Sequence, residues 1–442
     1  MSQPSPPRGA VSTAPQPSPA AVATPTPAGP AAVPVARNAA SGQRRRSTPQ
    51  RLRMLSSGVM LASLIFGVVG ALIFSYFAFS LSRAEASARQ LIRVQKIQTD
   101  LLTADATATN AFLIGGLERP AQRATYDQAI GEASALIAES ARAQSADGAA
   151  LSALNDEVVR YAGTVEQARA NNRQGLPVGA QYMRIASTDL RTVALPILAN
   201  LVEANTARAN QAMEVRGLPV AFAILGLAVL AGLLLAVVWV AKTFKRWLNV
   251  GLVAASVVVL VAVVGGTIGL ATTSGRVSEL RSGSLTRLTQ VSQARIEANN
   301  AKSNESLTLI ARGSGAAFEQ VWRSSAGQVQ ANLDRSQNPD LSKLWGEYTD
   351  VHSSIRELDD GGKWDEAVSK ATGSGKDSAN ARFAAFDTAA TAFIDQMAGL
   401  TRDGLAGPRI GLVIGAVLIF LAGVGAAVLG RRGVAARLRE YR

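Results

Sequence analysis

Four stretches of the chain run for about twenty residues or more without a charged side chain: Met54–Phe79, Leu218–Ala241, Leu248–Ala271 and Ile410–Gly430. A hydrocarbon layer about 30 Å thick takes roughly 20 helical residues to cross. Backbone groups there must be bonded within their own segment, so each stretch predicts a transmembrane helix. Between them the pattern changes to an amphipathic helical period. Val94, Ile97, Leu101, Ala104, Ala108 and Ala111 step by three and four, the seam spacing of helices packed in a bundle.

Breakers divide the first intervening segment, 83–217, into four helices. The first runs from about Arg83 to Ile114 and ends at Gly115, Gly116 and Pro120. The second covers about Ala121–Ala143 and turns at Asp147-Gly148. The third reaches about Asn171, and after Gly175-Leu176-Pro177 the fourth runs from about Val178 to Val215. Breaks this short join antiparallel neighbours, which predicts an up-down four-helix bundle. The second segment, 272–408, repeats the plan. Its first helix runs from about Arg276 to Arg312. Two further helices carry Phe318 and Trp322, then Leu344, Trp345, Tyr348 and Ile355. The last runs from about Ser378 to Leu400 with Phe383, Phe386 and Phe393, and Gly407-Pro408 breaks the chain before the final crossing. Ala108–Gly116 also lies over Ser303–Ala311 at an offset of 195, a faint sign of duplication. The predicted fold is therefore all-α, with four transmembrane helices and two tandem extracytoplasmic four-helix bundles.

Composition changes this picture at the ends. Residues 1–52 are mostly Pro, Ala, Ser and Thr and cannot bury enough surface to offset the entropy of ordering, so they read as a disordered tail. The first apolar stretch starts too far in for an ordinary signal peptide and no A-x-A site closes it, so it should remain as an anchor. The chain has no cysteine, which excludes disulfides, thiolate metal sites and thiol nucleophiles.

The net charge of +13 suggests nucleic acid until it is divided by segment. Arg83–Gly217 holds 14 basic and 14 acidic residues, and Thr272–Pro408 holds 15 and 17. The excess lies around Arg44–Arg53, in the turn 242–247 with Lys242, Lys245 and Arg246, and in the tail 431–442. Such residues next to membrane helices gather on the cytoplasmic side and attract anionic lipid. Both termini are then expected in the cytoplasm and both bundles outside, with no nucleic acid as partner. Trp239, Phe244 and Trp247 fit an interfacial belt at the inner face.

Catalytic chemistry is hard to find. The single histidine, His352, reads as a solvated surface residue. Gly373-Ser374-Gly375-Lys376-Asp377 looks like part of a phosphate loop, but Lys370 stands where its first glycine belongs and Asp377 replaces the magnesium-binding hydroxyl. Asp359-Asp360 with Asp365-Glu366 reads as a solvated loop beside a helix start, with a weak cation site as the sharper alternative. The crossings contain no charged residue, which argues against a transporter, and Gly67, Gly70, Gly226, Gly232, Gly265, Gly266, Gly423 and Gly425 suit close helix packing. Thr103, Thr107 and Asn110 lie along or beside the apolar seam, and Glu305 aligns with Asn110 in the repeat. Buried polar groups need partners. Local backbone bonds and solvent are the simpler reading, and contact with a ligand or partner the sharper one. No catalytic, cofactor or metal residue is assigned, and no cofactor is expected.

Two membrane-carried bundles resemble the sensory domains of bacterial chemoreceptors, and Asp100–Gly116 (DLLTADATATNAFLIGG) is similar to the first helix of such domains. The six-residue turn and twelve-residue tail leave no room for a chemoreceptor output module. The whole plan, with Ala106–Glu118 (ATATNAFLIGGLE) and Ser303–Trp322 (SNESLTLIARGSGAAFEQVW), resembles the GlnX-type four-pass membrane proteins of actinobacteria. That resemblance implies a non-enzymatic relay in the cell membrane. An extracytoplasmic solute-binding lipoprotein would sense glutamate or aspartate, and a cytoplasmic serine/threonine kinase would respond. Its partners would be membrane lipids, that lipoprotein and that kinase, and a homo-oligomer is compatible with it. The alternatives are a receptor that binds a small molecule directly in its bundles and a scaffold for the envelope.

Overall fold

The computed structural model describes residues 48–114, 118–244 and 249–439. The expected disordered tail before Thr48, the breakers Gly115 and Gly116, the turn residues Lys245, Arg246 and Trp247, and the final residues of the tail lie outside them. Twelve α-helices follow one another among the described residues, with no strand: α1 (Thr48–Ile114), α2 (Pro120–Ala143), α3 (Gly148–Arg173), α4 (Val178–Asp189), α5 (Leu195–Ala212), α6 (Gly217–Phe244), α7 (Val250–Leu280), α8 (Thr286–Ile310), α9 (Ala316–Ser336), α10 (Pro339–Asp360), α11 (Trp364–Thr372) and α12 (Ala379–Arg439). The all-α class expected from the spacing of apolar residues is the one observed.

The four apolar stretches fall in α1, α6, α7 and α12, which supply four spans long and apolar enough to cross a membrane. Their shared core is built on aromatic packing. Phe222 of α6 meets Phe74 of α1 edge-on, with ring centroids 5.5 Å apart, and tilts against Phe66 at 5.8 Å. Leu61, Leu72, Ile224, Leu235, Val261, Ile268 and Leu421 stay exposed, as residues facing acyl chains would. Two of the glycines singled out in the sequence let backbones touch. A Cβ on Gly67 would stand 3.0 Å from the Gly423 Cα, so α1 and α12 could not approach as they do. Gly423→Val should therefore cost about 1–3 kcal/mol of overpacking strain. Gly425→Val, one turn-edge away with nothing within 4 Å, should cost much less. Thermal unfolding of the purified chain in detergent compares them, and equal losses would contradict this packing.

The helices do not break where every proline and glycine predicts. α12 runs unbroken through Pro408, where Gly407-Pro408 predicted an end. Proline removes one rung of the ladder and is tolerated where neighbouring helices hold the rest, and α1 and α7 both pack on α12. The fourth helix of the first segment is conversely not one helix. A π-helical turn, Leu190–Ala194, separates α4 from α5. Pro196 follows in the first turn of α5, where its missing N–H disturbs the i→i−4 pattern and a wider turn absorbs the change. A second π turn, Arg281–Leu285, joins α7 to α8. At its end the Thr286 hydroxyl donates to the Arg281 carbonyl five residues back.

Two further apolar clusters lie beyond the membrane-type core. One joins the distal half of α1 to α2–α5 around Leu101, Ile137, Leu154, Tyr161 and Leu198. The other joins α8–α12 around Trp345, Tyr348, Ile355 and Phe386. Of the aromatic residues expected in the second core, Trp322, Trp345, Tyr348 and Phe386 are buried, and Phe383 and Phe393 pack on it half-buried. Each cluster takes one side chain from the other's elements, Ile296 of α8 in the first and Leu113 of α1 in the second. The two groups therefore share a contact surface along α1 and α8.

Candidate functional site: a polar seam between two helical groups

That surface is centred on a carboxylate. Asp105 follows Ala104 in the apolar seam of α1 and is completely buried. Four side chains converge on it from four other elements. Tyr161 of α3 donates to its Oδ1 at 3.3 Å and Ser187 of α4 at 2.6 Å. Arg191, in the π turn, pairs with Oδ2 at 2.9 Å. Ser303 of α8 donates to the same oxygen from the other group. A buried carboxylate is tolerable only when its lone pairs are satisfied, and here they are.

Arg191 also extends the network. Its Nε donates to Asn300 of α8 at 2.9 Å, Asn300 donates to Ser325 of α9, and Ser325 donates to Glu297. On the membrane side Thr103 donates to Asn299 at 3.2 Å. At the far end Asn110 Oδ1 accepts from Gln122 of α2 and from Asn380 of α12, each at 3.0 Å. Thr103 and Asn110 thus sit on the seam between groups, while Thr107 is half-buried beside it. The bonds Thr103–Asn299 and Asp105–Ser303 join positions 196 and 198 residues apart. The repeat offset is 195, so near-equivalent positions meet, as they do across a two-fold contact.

Glu305 lies deeper in the second group and completes a separate cluster. Its Oε1 accepts from Lys302 at 2.6 Å, and its Oε2 accepts from Tyr348 at 3.1 Å and lies 2.9 Å from His352 Nδ1. Burial alone would raise this carboxyl, but Lys302 and His352 outweigh it and hold it down at about 2. His352 is not at the surface, where a lone histidine was expected. It is 2% exposed, stacked on Trp322 with centroids 3.5 Å apart, and its Nε2 lies 3.3 Å from Glu319. Burial disfavours its charged form, yet the bonds to Glu305 and Glu319 win and raise its pKa. The reason is position: His352 shares a face of α10 with Trp345, Tyr348 and Ile355, all turned into the core.

Above this cluster opens a cleft of about 1090 Å³, between the α8–α9 turn and the α10–α11 turn. Asp359 and Asp360 line it and each accepts from Arg356 at 2.6 Å. Asp365 and Glu366 lie in the first turn of α11, as acids beside a helix start do. The phosphate-loop look-alike lies in the α11–α12 link, where Asp377 pairs with Arg382 and Ser378 caps α12.

Sequence reasoning missed Asp105, Tyr161, Ser187, Arg191, Ser303 and Lys302. The signal available was an acid flanked by Ala104 and Ala106 on a buried face; no local rule would have supplied its partners, which lie 56 to 198 residues away.

Residues 80–214 match the family model described as the actinobacterial sensor domain. Comparison with curated proteins and with solved structures gives no match. The matched span reaches from the end of the apolar stretch of α1 to the end of α5, and it contains Asp105, Tyr161, Ser187 and Arg191. This is a multi-pass membrane protein in which the segment that matches the actinobacterial sensor domain packs through a buried polar seam against a second helical group.

Proposed function

We propose that the chain is a non-enzymatic signal relay across the cell membrane. In this reading an extracytoplasmic lipoprotein that binds glutamate or aspartate engages the membrane-distal helices, and a cytoplasmic serine/threonine kinase answers to the basic inner surface. The lipoprotein and the kinase come from the resemblance of the four-pass plan to GlnX-type proteins. That resemblance supplies no catalytic residue.

The observation that carries the relay reading is the seam around Asp105. It binds α1, α3, α4 and the π turn of the sensor segment to α8 of the second group, through groups that cannot be left unpaired. Such a contact has few good arrangements, and packed helices exchange discrete arrangements by small shifts. α1 and α12 run from the distal cores into the membrane without interruption. A shift at the seam is therefore delivered to the crossings. A partner that favours one arrangement moves the equilibrium by its difference in affinity for the two.

Photo-reactive residues placed along α2–α5 and α9–α11 test this in whole cells. Capture of a solute-binding lipoprotein, changing with external glutamate or aspartate, is the expected result. Capture of nothing but further copies of the chain would overturn the relay reading. The cleft above Glu319 favours a second reading, direct binding of a small molecule.

A further inference from the structure

The cleft at the membrane-distal end of the second group is lined by seven charged side chains: Arg312, Arg323 and Arg356, with Glu319, Asp359, Asp360 and Asp365. Five of them pair among themselves, two cations with three anions. Glu319 pairs with Arg323 at 2.9 Å and with Arg356 at 3.7 Å, and Arg356 pairs with Asp359 and Asp360. Among the described residues that leaves one cation and one anion without an ionic partner. Arg312 lies over the Trp364 ring, 3.9 Å from its centroid, and Asp365 is the next residue along from that indole. The cleft thus presents a positive group on an aromatic surface and a negative group, neither with an ionic partner.

Two features prepare the positive side. The 21-residue helix α9 begins on the cleft wall with Gly315 as its cap, and no side chain bonds its first N–H groups. Those donors and the helix dipole favour an anion. The guanidinium of Arg312 is held over the indole, with donors to offer a carboxylate. Trp364 is itself fixed, since its Nε1 donates to the Leu309 carbonyl at 2.9 Å. The cleft volume is ample for a small ligand.

We propose that this cleft binds a small zwitterion, its carboxylate on Arg312 and the start of α9, and its ammonium on Asp365. The paired charges at its base connect the site inward. Glu319 holds Arg323 on the cleft side and His352 on the core side, and His352 holds Glu305 on α8. α8 is the helix that reaches Asp105. The inference goes beyond the relay reading and requires no partner protein.

The test is calorimetric titration of the full chain in lipid nanodiscs with glycine, β-alanine, γ-aminobutyrate and glycylglycine, which separate their charges by increasing lengths. At least one should bind with a Kd below roughly 1 mM, and its N-acetyl and amide derivatives, each with one charge removed, should bind at least about tenfold more weakly. Arg312→Gln and Asp365→Asn, both at exposed positions, should each weaken binding by a similar factor while leaving the melting temperature of the empty protein unchanged. Absence of binding by the whole series would overturn the proposal. So would equal binding of the capped derivatives, a comparison that needs no variant to fold. Because no lipoprotein is present, a negative result here leaves the relay reading standing, and failure to capture a lipoprotein leaves this site standing.

Discussion

Replacing Asp105 by alanine is expected to destabilise the folded chain by about 3–5 kcal/mol, the cost of removing one partner from a buried ion pair. The loss is large because Arg191, Tyr161, Ser187 and Ser303 all lose the acceptor on which they converge. Asp105→Asn keeps the shape and part of the hydrogen bonding, so it should cost less. Arg191→Ala alone leaves the carboxylate buried without its cation and should also be costly. The double variant should cost clearly less than the sum of the two, since each single change strands what the other removes. Urea unfolding of the four proteins in one detergent gives the cycle. A loss under about 1 kcal/mol for Asp105→Ala, or strict additivity, would mean that the seam is a wet and weak contact.

The second large effect is expected at Glu305. Glu305→Ala leaves Lys302 and His352 buried beside a cavity, and a cost of about 3–5 kcal/mol follows from the same reasoning. This cluster also has a pH signature. Glu305 has a folded pKa held down at about 2, so its contribution is present above its unfolded value of about 4.5 and fades as pH falls through 2. His352 has a raised folded pKa. Its contribution is full below its unfolded value of about 6.5 and is lost as pH rises through the folded one. The stability gap between wild type and His352→Gln should therefore be widest at about pH 5–6 and narrow on the alkaline side. A gap that widens with rising pH would mean that His352 is buried neutral. Comparing the two proteins at each pH cancels the titration of groups that His352 does not touch; Glu305 and Glu319, which it does touch, titrate in the acid range and leave the alkaline side to the histidine.

The parts of this fold that are legible in the sequence are those governed by local rules. Charge-free stretches of about twenty residues give the crossings, and the three-four spacing of Val94, Ile97, Leu101, Ala104 and Ala108 gives the buried face of α1. Helix ends are less legible because a breaker acts through its neighbours. Pro196 widens a helix into a π turn, whereas Pro408 passes unnoticed inside α12. Thr103, Asn110 and Glu305 stand out in the sequence as polar residues on apolar faces, and all three bond to other side chains in the fold. Apart from Lys302, three residues before Glu305 on the same helix, those partners lie on other helices, and no periodicity names them. His352 illustrates the limit. Histidine is more often exposed than buried, and only the pair of glutamates brought by α8 and α9 makes its burial tolerable.

In the relay proposed above, a change of arrangement at the α1–α8 seam carries the signal. The chain has no cysteine of its own, so Thr103→Cys with Asn299→Cys places the only two thiols across that seam, at a pair now joined by a 3.2 Å hydrogen bond. Cells carrying this variant can be treated with a short crosslinker that joins thiols through disulfides, challenged with external glutamate or aspartate, and assayed for phosphorylation of substrates of the proposed kinase. The response should disappear when the bridge is formed and return when it is cleaved by reductant, with the uncrosslinked variant responding as wild type does. A full response from quantitatively bridged protein would contradict the relay.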